Sequence, residues 1–211
     1  MKKYILLSLL CVQVFTLSSK SMVEIWKTMP DSLLMLVDRT QRLEMPNFIS
    51  MGLKGEVTNT LQGKSRMDTL TANYIHLTLT KSSSMQIKRL LSVEGDSILC
   101  VVKTWLGDAA ESEVRFYNQD WNELEGKRLM GESELIRLSS KLLVRPDTMP
   151  QEDFDNLIGV IDPILVQARL FADRDELEVS VSQPACDTEV RRRLQFPFLL
   201  MHLNWNGKEY N

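Results

Sequence analysis

Ile75-His76-Leu77-Thr78-Leu79-Thr80-Lys81-Ser82-Ser83-Ser84-Met85-Gln86-Ile87-Lys88 alternates apolar and polar residues, breaks at a polar turn, and alternates again. Successive side chains on a strand point to opposite faces, so this pattern describes two half-buried strands joined as a hairpin. A helix would need its apolar residues three and four apart. The span 74–90 is therefore read as a β-hairpin, and the rest of the fold is built outward from it.

Downstream, Glu94-Gly95-Asp96 makes the next turn. Residues 97–105 follow, with Ile98-Leu99-Cys100-Val101-Val102 apolar at consecutive positions. A strand covered on both faces has that composition. Residues 107–111 turn again, and 113–118 supply a further strand, which makes an antiparallel meander. The span 122–150 is less regular. Residues 135–138 and 142–144 suit a short helix or an edge strand, and Pro146 and Pro150 mark a connector. Residues 151–161 read as a helix, with acidic residues in the first turn and Phe154, Leu157 and Ile158 on one face. A second β section follows: strands over 166–171 and 177–182 around a turn at 172–175, then an apolar strand over 198–205. Between them, 187–194 reads as a short helix. Asn206-Gly207 is a strong signal for a two-residue turn.

Upstream, Asp31 or Ser32 is expected to cap a short helix over 33–37. Asp38-Arg39-Thr40 is expected to start a second helix reaching Leu53, with Pro46 kinking it or forcing a new first turn. Gly52 and Gly55 act as stop signals. The fold class is α+β, with antiparallel meander sheets and N-terminal helices. A tandem helix-plus-meander repeat is a further expectation. Ile75, Leu77 and Leu79, then Met85 and Ile87, rhyme with Val166, Ala168 and Leu170, then Leu177 and Val179.

The chain has 211 residues, 44% hydrophobic and 25% charged, with 9 Gly and 7 Pro. That composition sets aside disorder, collagen-like repeats and a disulfide-dense miniature scaffold. Met1-Lys2-Lys3 followed by an apolar run to Phe15 has the layout of a secretory leader, too short to span a bilayer. Ser19-x-Ser21 fits a small-x-small cleavage rule, so residues 1–21 are expected to be removed. Units at 22–145 and 146–211 are expected to pack as one domain, with no transmembrane helix in the mature chain. Lipid attachment at Cys11 is the weaker alternative, because Leu10 sits where a small residue is usual. Losing Lys2, Lys3 and Lys20 leaves 22 basic against 28 acidic residues, a balance of −6. A nucleic-acid binder shows a basic field, so nucleic acid is set aside as a partner.

Three stretches carry a family resemblance. They are Trp26-Lys27-Thr28-Met29-Pro30-Asp31-Ser32-Leu33-Leu34, Lys54-Gly55-Glu56-Val57-Thr58-Asn59-Thr60-Leu61-Gln62-Gly63-Lys64-Ser65 and Val114-Arg115-Phe116-Tyr117-Asn118-Gln119-Asp120-Trp121. Together they resemble a secreted family of unknown function from the Bacteroides group. The resemblance implies export and lends no catalytic residues. It also implies cysteines in the turn at Gly107-Asp108-Ala109-Ala110, and this chain has none there.

Few residues offer chemistry. His76 and His202 are the only histidines, and each falls on the polar phase of a strand. Either could pair with a carboxylate as an acid–base couple, or simply face solvent. No Cys-x-x-Cys, Gly-x-Ser-x-Gly or complete phosphate-binding loop occurs, so no cofactor or metal is expected. Cys100 and Cys186 form a candidate disulfide, against the reading of Cys100 as a buried apolar residue. Trp121, beside Asp120 and Asn122, and the basic run Arg191-Arg192-Arg193 are candidate partner contacts. The favoured expectation is a non-enzymatic envelope protein, periplasmic or outer-membrane associated, that binds a protein or an envelope component. The alternative is a hydrolase of envelope glycans or peptides, using a carboxylate pair or His202 with an acidic neighbour.

Overall fold

A computed structural model describes residues 20–130, 145, 147–160, 165–182 and 200–211. Helix α1 (Met22–Thr28) starts at a capping box. The Ser21 hydroxyl accepts from the Glu24 amide at 3.2 Å, and the Glu24 carboxylate accepts from the Ser21 amide at 2.7 Å. Two backbone donors that a helix start leaves without partners are thereby satisfied. The Ser21-x-x-Glu24 signal is legible in the sequence, but the cleavage pattern competes for the same serine.

The expected helix over 33–37 does not form. A single 3-10 turn (Asp31–Leu33) gives way to a turn and bend over residues 35–37, and the connector buries Leu34 and Val37. The connector's carbonyls are claimed from outside. Arg42 Nη1 donates to Val37 O at 3.0 Å, Thr60 N to Leu36 O at 3.0 Å, and Thr60 Oγ1 to Met35 O at 3.2 Å.

Helix α2 (Arg39–Ser50) starts at the expected Asp38, which shares a capping box with Gln41, and it runs through Pro46. Proline has no N–H, so the carbonyl four residues earlier, on Arg42, loses its helical donor. The buried indole of Trp26 supplies the replacement, Nε1 donating to Arg42 O at 2.7 Å. The proline therefore stays inside the helix because α1 brings a donor to the gap.

Seven strands follow: β1 (Gly55–Thr58), β2 (Lys64–Leu70), β3 (Tyr74–Thr80), β4 (Ser83–Leu91), β5 (Ser97–Leu106), β6 (Ala110–Asn118) and β7 (Glu123–Leu124). They form one antiparallel sheet in chain order. The hairpin at 74–90 is present, with Ile75 opposite Ile87 and Leu77 opposite Met85. The β1–β2 hairpin has no counterpart in the sequence reading. Its loop is folded around buried Asn59, whose Oδ1 accepts from the Leu61 and Gly63 amides at 3.1 and 3.0 Å. Asn59 Nδ2 donates to Ser65 Oγ at 3.0 Å.

Helices α1 and α2 cover one face of this sheet, burying Ile25, Trp26 and Met45 against Ile75, Leu77, Met85, Ile87, Leu99 and Val101. The other face carries a three-stranded antiparallel sheet of β8 (Val166–Leu170), β9 (Glu176–Val181) and β10 (Leu200–Asn204), in the order β10-β9-β8. Val166, Ala168, Leu170, Leu177 and Val179 pack there on Leu90, Cys100, Val102 and Phe116. Strand β5 is thus buried on both faces, as its apolar run implies. Each fully buried Ile or Leu stabilises the fold by about 1.5–3 kcal/mol. Two short helices, α3 (Gly126–Leu129) and α4 (Gln151–Val160), complete the described elements. The architecture is α+β, dominated by antiparallel sheet.

Lys88 ties the two sheets together. It is 1% exposed, and its ammonium donates to Phe171 O at 3.0 Å and Ala172 O at 3.3 Å, with Asp175 Oδ1 at 3.0 Å. A buried charge is tolerated only when hydrogen-bonded and paired in this way. The β8–β9 turn is thereby fixed against the large sheet.

The chain end returns through a bridge between Trp205 and Tyr210, so the connection at Asn206-Gly207 has four residues rather than two. The Asn206 side chain accounts for the longer loop, because its Oδ1 accepts from the Lys208 and Glu209 amides. Gly207 adopts φ 92°, and a Cβ there would lie 2.6 Å from Val93 Cγ1. Gly207→Ala is expected to lose about 2–4 kcal/mol through backbone strain and overlap together. Denaturant titration checks this, and adding Val93→Ala should recover only the overlap share.

Candidate functional site

The turn between β4 and β5, the turn between β6 and β7, helix α3 and the 206–209 loop meet at one end of the large sheet. They line an open cavity of about 660 Å³. Ile98, Leu124 and Leu129 line it with apolar surface, and Glu94, Asp96, Asp120 and Glu125 ring it with carboxylates, joined by Arg128 and Lys208. All four acids are solvent-exposed.

The 118–122 wall is held from three directions. Asn118 Oδ1 accepts from the Asp120 and Asn122 amides, each at 2.9 Å. Lys20 reaches across, its backbone N donating to Gln119 Oε1 at 3.0 Å and its ammonium to Asp120 Oδ1 at 2.5 Å. Trp121 sits behind the wall with φ 63°, a conformation that L residues seldom adopt. Its indole is 6% exposed, packs on Tyr117 and donates to Ile25 O at 3.0 Å. This corrects the expectation of a partner-facing Trp121. The polar neighbours Asp120 and Asn122 are exposed, while the ring turns inward to fill the core and satisfy the α1 carbonyl.

The histidines each meet an acid away from the cavity. His76 is half-buried on β3, with Nδ1 3.8 Å from Asp68 Oδ2. That oxygen also accepts from Thr78 Oγ1 at 2.6 Å. Burial holds the His76 imidazole below its usual range, and Asp68 opposes the shift. His202 Nδ1 lies 2.8 Å from Glu176 Oε1, and Arg174 Nε lies 3.2 Å from the same oxygen. The His202 hydrogen bond, with Arg174, holds the Glu176 carboxyl below the usual carboxylate range. In register, His202 and Arg169 flank Glu178, which gives the small sheet a polar outer face.

Cys100 carries a buried free thiol, and burial pushes its pKa far up. A thiol held in that form is a poor nucleophile and a poor metal ligand. The tyrosine hydroxyl of Tyr210, also buried, lies against it. Cys186 and the Arg191-Arg192-Arg193 run lie outside the described residues. Among the described residues no three His, Cys, Asp or Glu side chains cluster closely enough to hold a metal ion. Among them, too, no helix is long and apolar enough to cross a membrane.

A second feature went unread in the sequence. At the β5–β6 hairpin, Trp105 and Leu106 are each 47% exposed. Trp105 pairs with Glu111, and the next pair along that face is Lys103 with Glu113. Arg115 holds Glu113 at 2.5 Å and Glu123 at 3.2 Å. Burial draws the Lys103 ammonium below its usual range, against the pull of Glu113. Trp105 thus sits beside an ionic ladder where α1 and α2 no longer cover the sheet, while Leu106, the next residue on the strand, points to the opposite face. The alternation of the strand places Trp105 in phase with buried Leu99 and Val101, so position along the strand, not phase, decides its exposure.

A helix-covered meander sheet backed by a smaller antiparallel sheet, with a polar-rimmed cavity at one end, defines an α+β domain of unknown function. The chain belongs to the family described as protein of unknown function DUF3256, which matches residues 14–210. In structure it is similar to a domain of an uncharacterized protein from Porphyromonas gingivalis W83, with a TM-score of 0.75. The two chains are 18% identical, and the match covers 90% of this chain and 96% of that one. No curated protein matches the chain.

Proposed function

We propose that this chain is an exported envelope protein, periplasmic or held at the outer membrane, that works without catalysis and binds another protein. The observation that carries the reading is the half-exposed Trp105 at the corner of the large sheet that the helices leave uncovered. Binding hot spots are enriched in tryptophan set among polar groups that exclude water on contact. The polar outer face of the small sheet, with Arg169, Glu178 and His202 in one row, supports the corner as the contact instead of that face.

The hydrolase alternative draws less support. A carboxyl acts as general acid near neutral pH when burial raises its pKa. The cavity's four carboxylates stand exposed at its rim, and neither histidine lines it.

Tagged protein drawn through envelope extract should retain one stoichiometric partner. Trp105→Ala should weaken that capture at least tenfold, by the roughly 2 kcal/mol typical of a tryptophan hot spot. Equal capture by the folded variant would remove the corner from the interface. Turnover of an envelope glycan or peptide by the wild-type chain would replace the binding reading with the enzymatic one.

A further inference from the structure

Lys20 and Ser21 belong to the folded domain. The Lys20 backbone amide donates to Gln119 Oε1 at 3.0 Å, and its ammonium donates to Gln119 O at 3.3 Å and Asp120 Oδ1 at 2.5 Å. Its carbonyl accepts from Arg89 Nη1 at 2.8 Å. Ser21 caps the helix that carries Ile25 and Trp26 into the core. Cleavage after Ser21, which the Ser19-x-Ser21 pattern suggests, would remove this cap and all four Lys20 contacts. We propose instead that the leader is removed upstream of Lys20, after Ser18, so that the mature chain begins at Ser19. Thr16-x-Ser18 presents small residues at both positions that a signal peptidase reads. A cut there leaves Ser19 as a spacer, and Lys20 keeps the amide with which it binds Gln119. The processing site rests on the export reading above, but the two can fail separately.

The test is production of the full chain with its own leader in a Gram-negative host, followed by intact-mass analysis and amino-terminal sequencing of the envelope fraction. A chain beginning at Ser19 sustains the proposal, and one beginning at Lys20 overturns the cut after Ser18. A chain beginning at Met22 overturns the site and leaves export standing. A lipid-modified chain beginning at Cys11 overturns the site in favour of an anchor. Full-length protein alone overturns the site and the export reading together. Chains of residues 19–211 and 22–211, compared by thermal melting, test the structural argument directly. The shorter chain should melt roughly 4–8 °C lower, because it lacks the helix cap and the Lys20 anchor. Equal melting temperatures would overturn the claim that the fold requires these two residues.

Discussion

Lys88→Ala should destabilise the fold by about 3–5 kcal/mol, from a void between the sheets together with two carbonyls that lose their donor. For a domain of this size, that lowers the melting temperature by roughly 6–20 °C. The loss has three sources. The ammonium no longer satisfies the Phe171 and Ala172 carbonyls, Asp175 loses its counter-ion, and the side chain leaves a void between the sheets. Lys88→Met separates them, because methionine fills most of the volume and supplies no donor. If packing dominates, Lys88→Met should recover most of the stability. If the polar contacts dominate, it should stay close to Lys88→Ala. Asp175 is about half-exposed and can be rehydrated, whereas the Phe171 and Ala172 carbonyls both lose the ammonium that ties the turn to the large sheet. We therefore expect Lys88→Met to recover less than half of the loss. Denaturant unfolding of the three proteins measures this, and a Lys88→Ala loss below about 1 kcal/mol would show that the turn does not depend on Lys88.

The second large effect lies at Trp26. Trp26→Ala should cost about 3–5 kcal/mol for the lost packing alone. Trp26→Phe keeps an aromatic ring but removes the donor to Arg42 O, for about 1–3 kcal/mol, and adds a packing loss for the smaller ring that cancels in a double-mutant cycle. The test is a cycle with Pro46→Ala. Alanine at position 46 restores a backbone N–H that can serve the Arg42 carbonyl. In that background Trp26→Phe should cost less than half of what it costs alone. Additive effects would mean that the indole and the proline are independent.

The legible parts of the fold were those with strict periodicity and two-sided burial. The 74–90 hairpin, the doubly apolar β5 and the alternation of β9 each state their own geometry. Asp38 announced α2 through its cap. The first hairpin stayed hidden because β1 is the edge strand of the sheet and the two strands bury few large side chains, Val57 and Met67 among them. The loop joining them depends on Asn59, whose role exists only once Ser65 and Leu79 are brought beside it. The apolar run at 33–37 looked helical because propensity does not see Arg42 and Thr60 taking its carbonyls. Trp121, expected to face a partner, turns inward while Trp105 stays half-exposed, for a related reason. Tryptophan exposure depends on which layers cover a strand end, and that is decided by distant segments. The candidate sites share this limit: the cavity joins residues from four separate turns and helices, and no local motif marks it.

The strand order has one more consequence. Every strand of the large sheet pairs with its neighbour in the chain, across loops of a few residues. Closing such short loops costs little entropy, so pairing can proceed strand by strand. A polypeptide that emerges amino end first can therefore build this sheet as it appears. The small sheet then docks onto a finished surface, and Lys88 is already in place to catch the β8–β9 turn. Such assembly in chain order keeps unpaired edges short-lived, which limits the edge-to-edge aggregation that exposed strands invite.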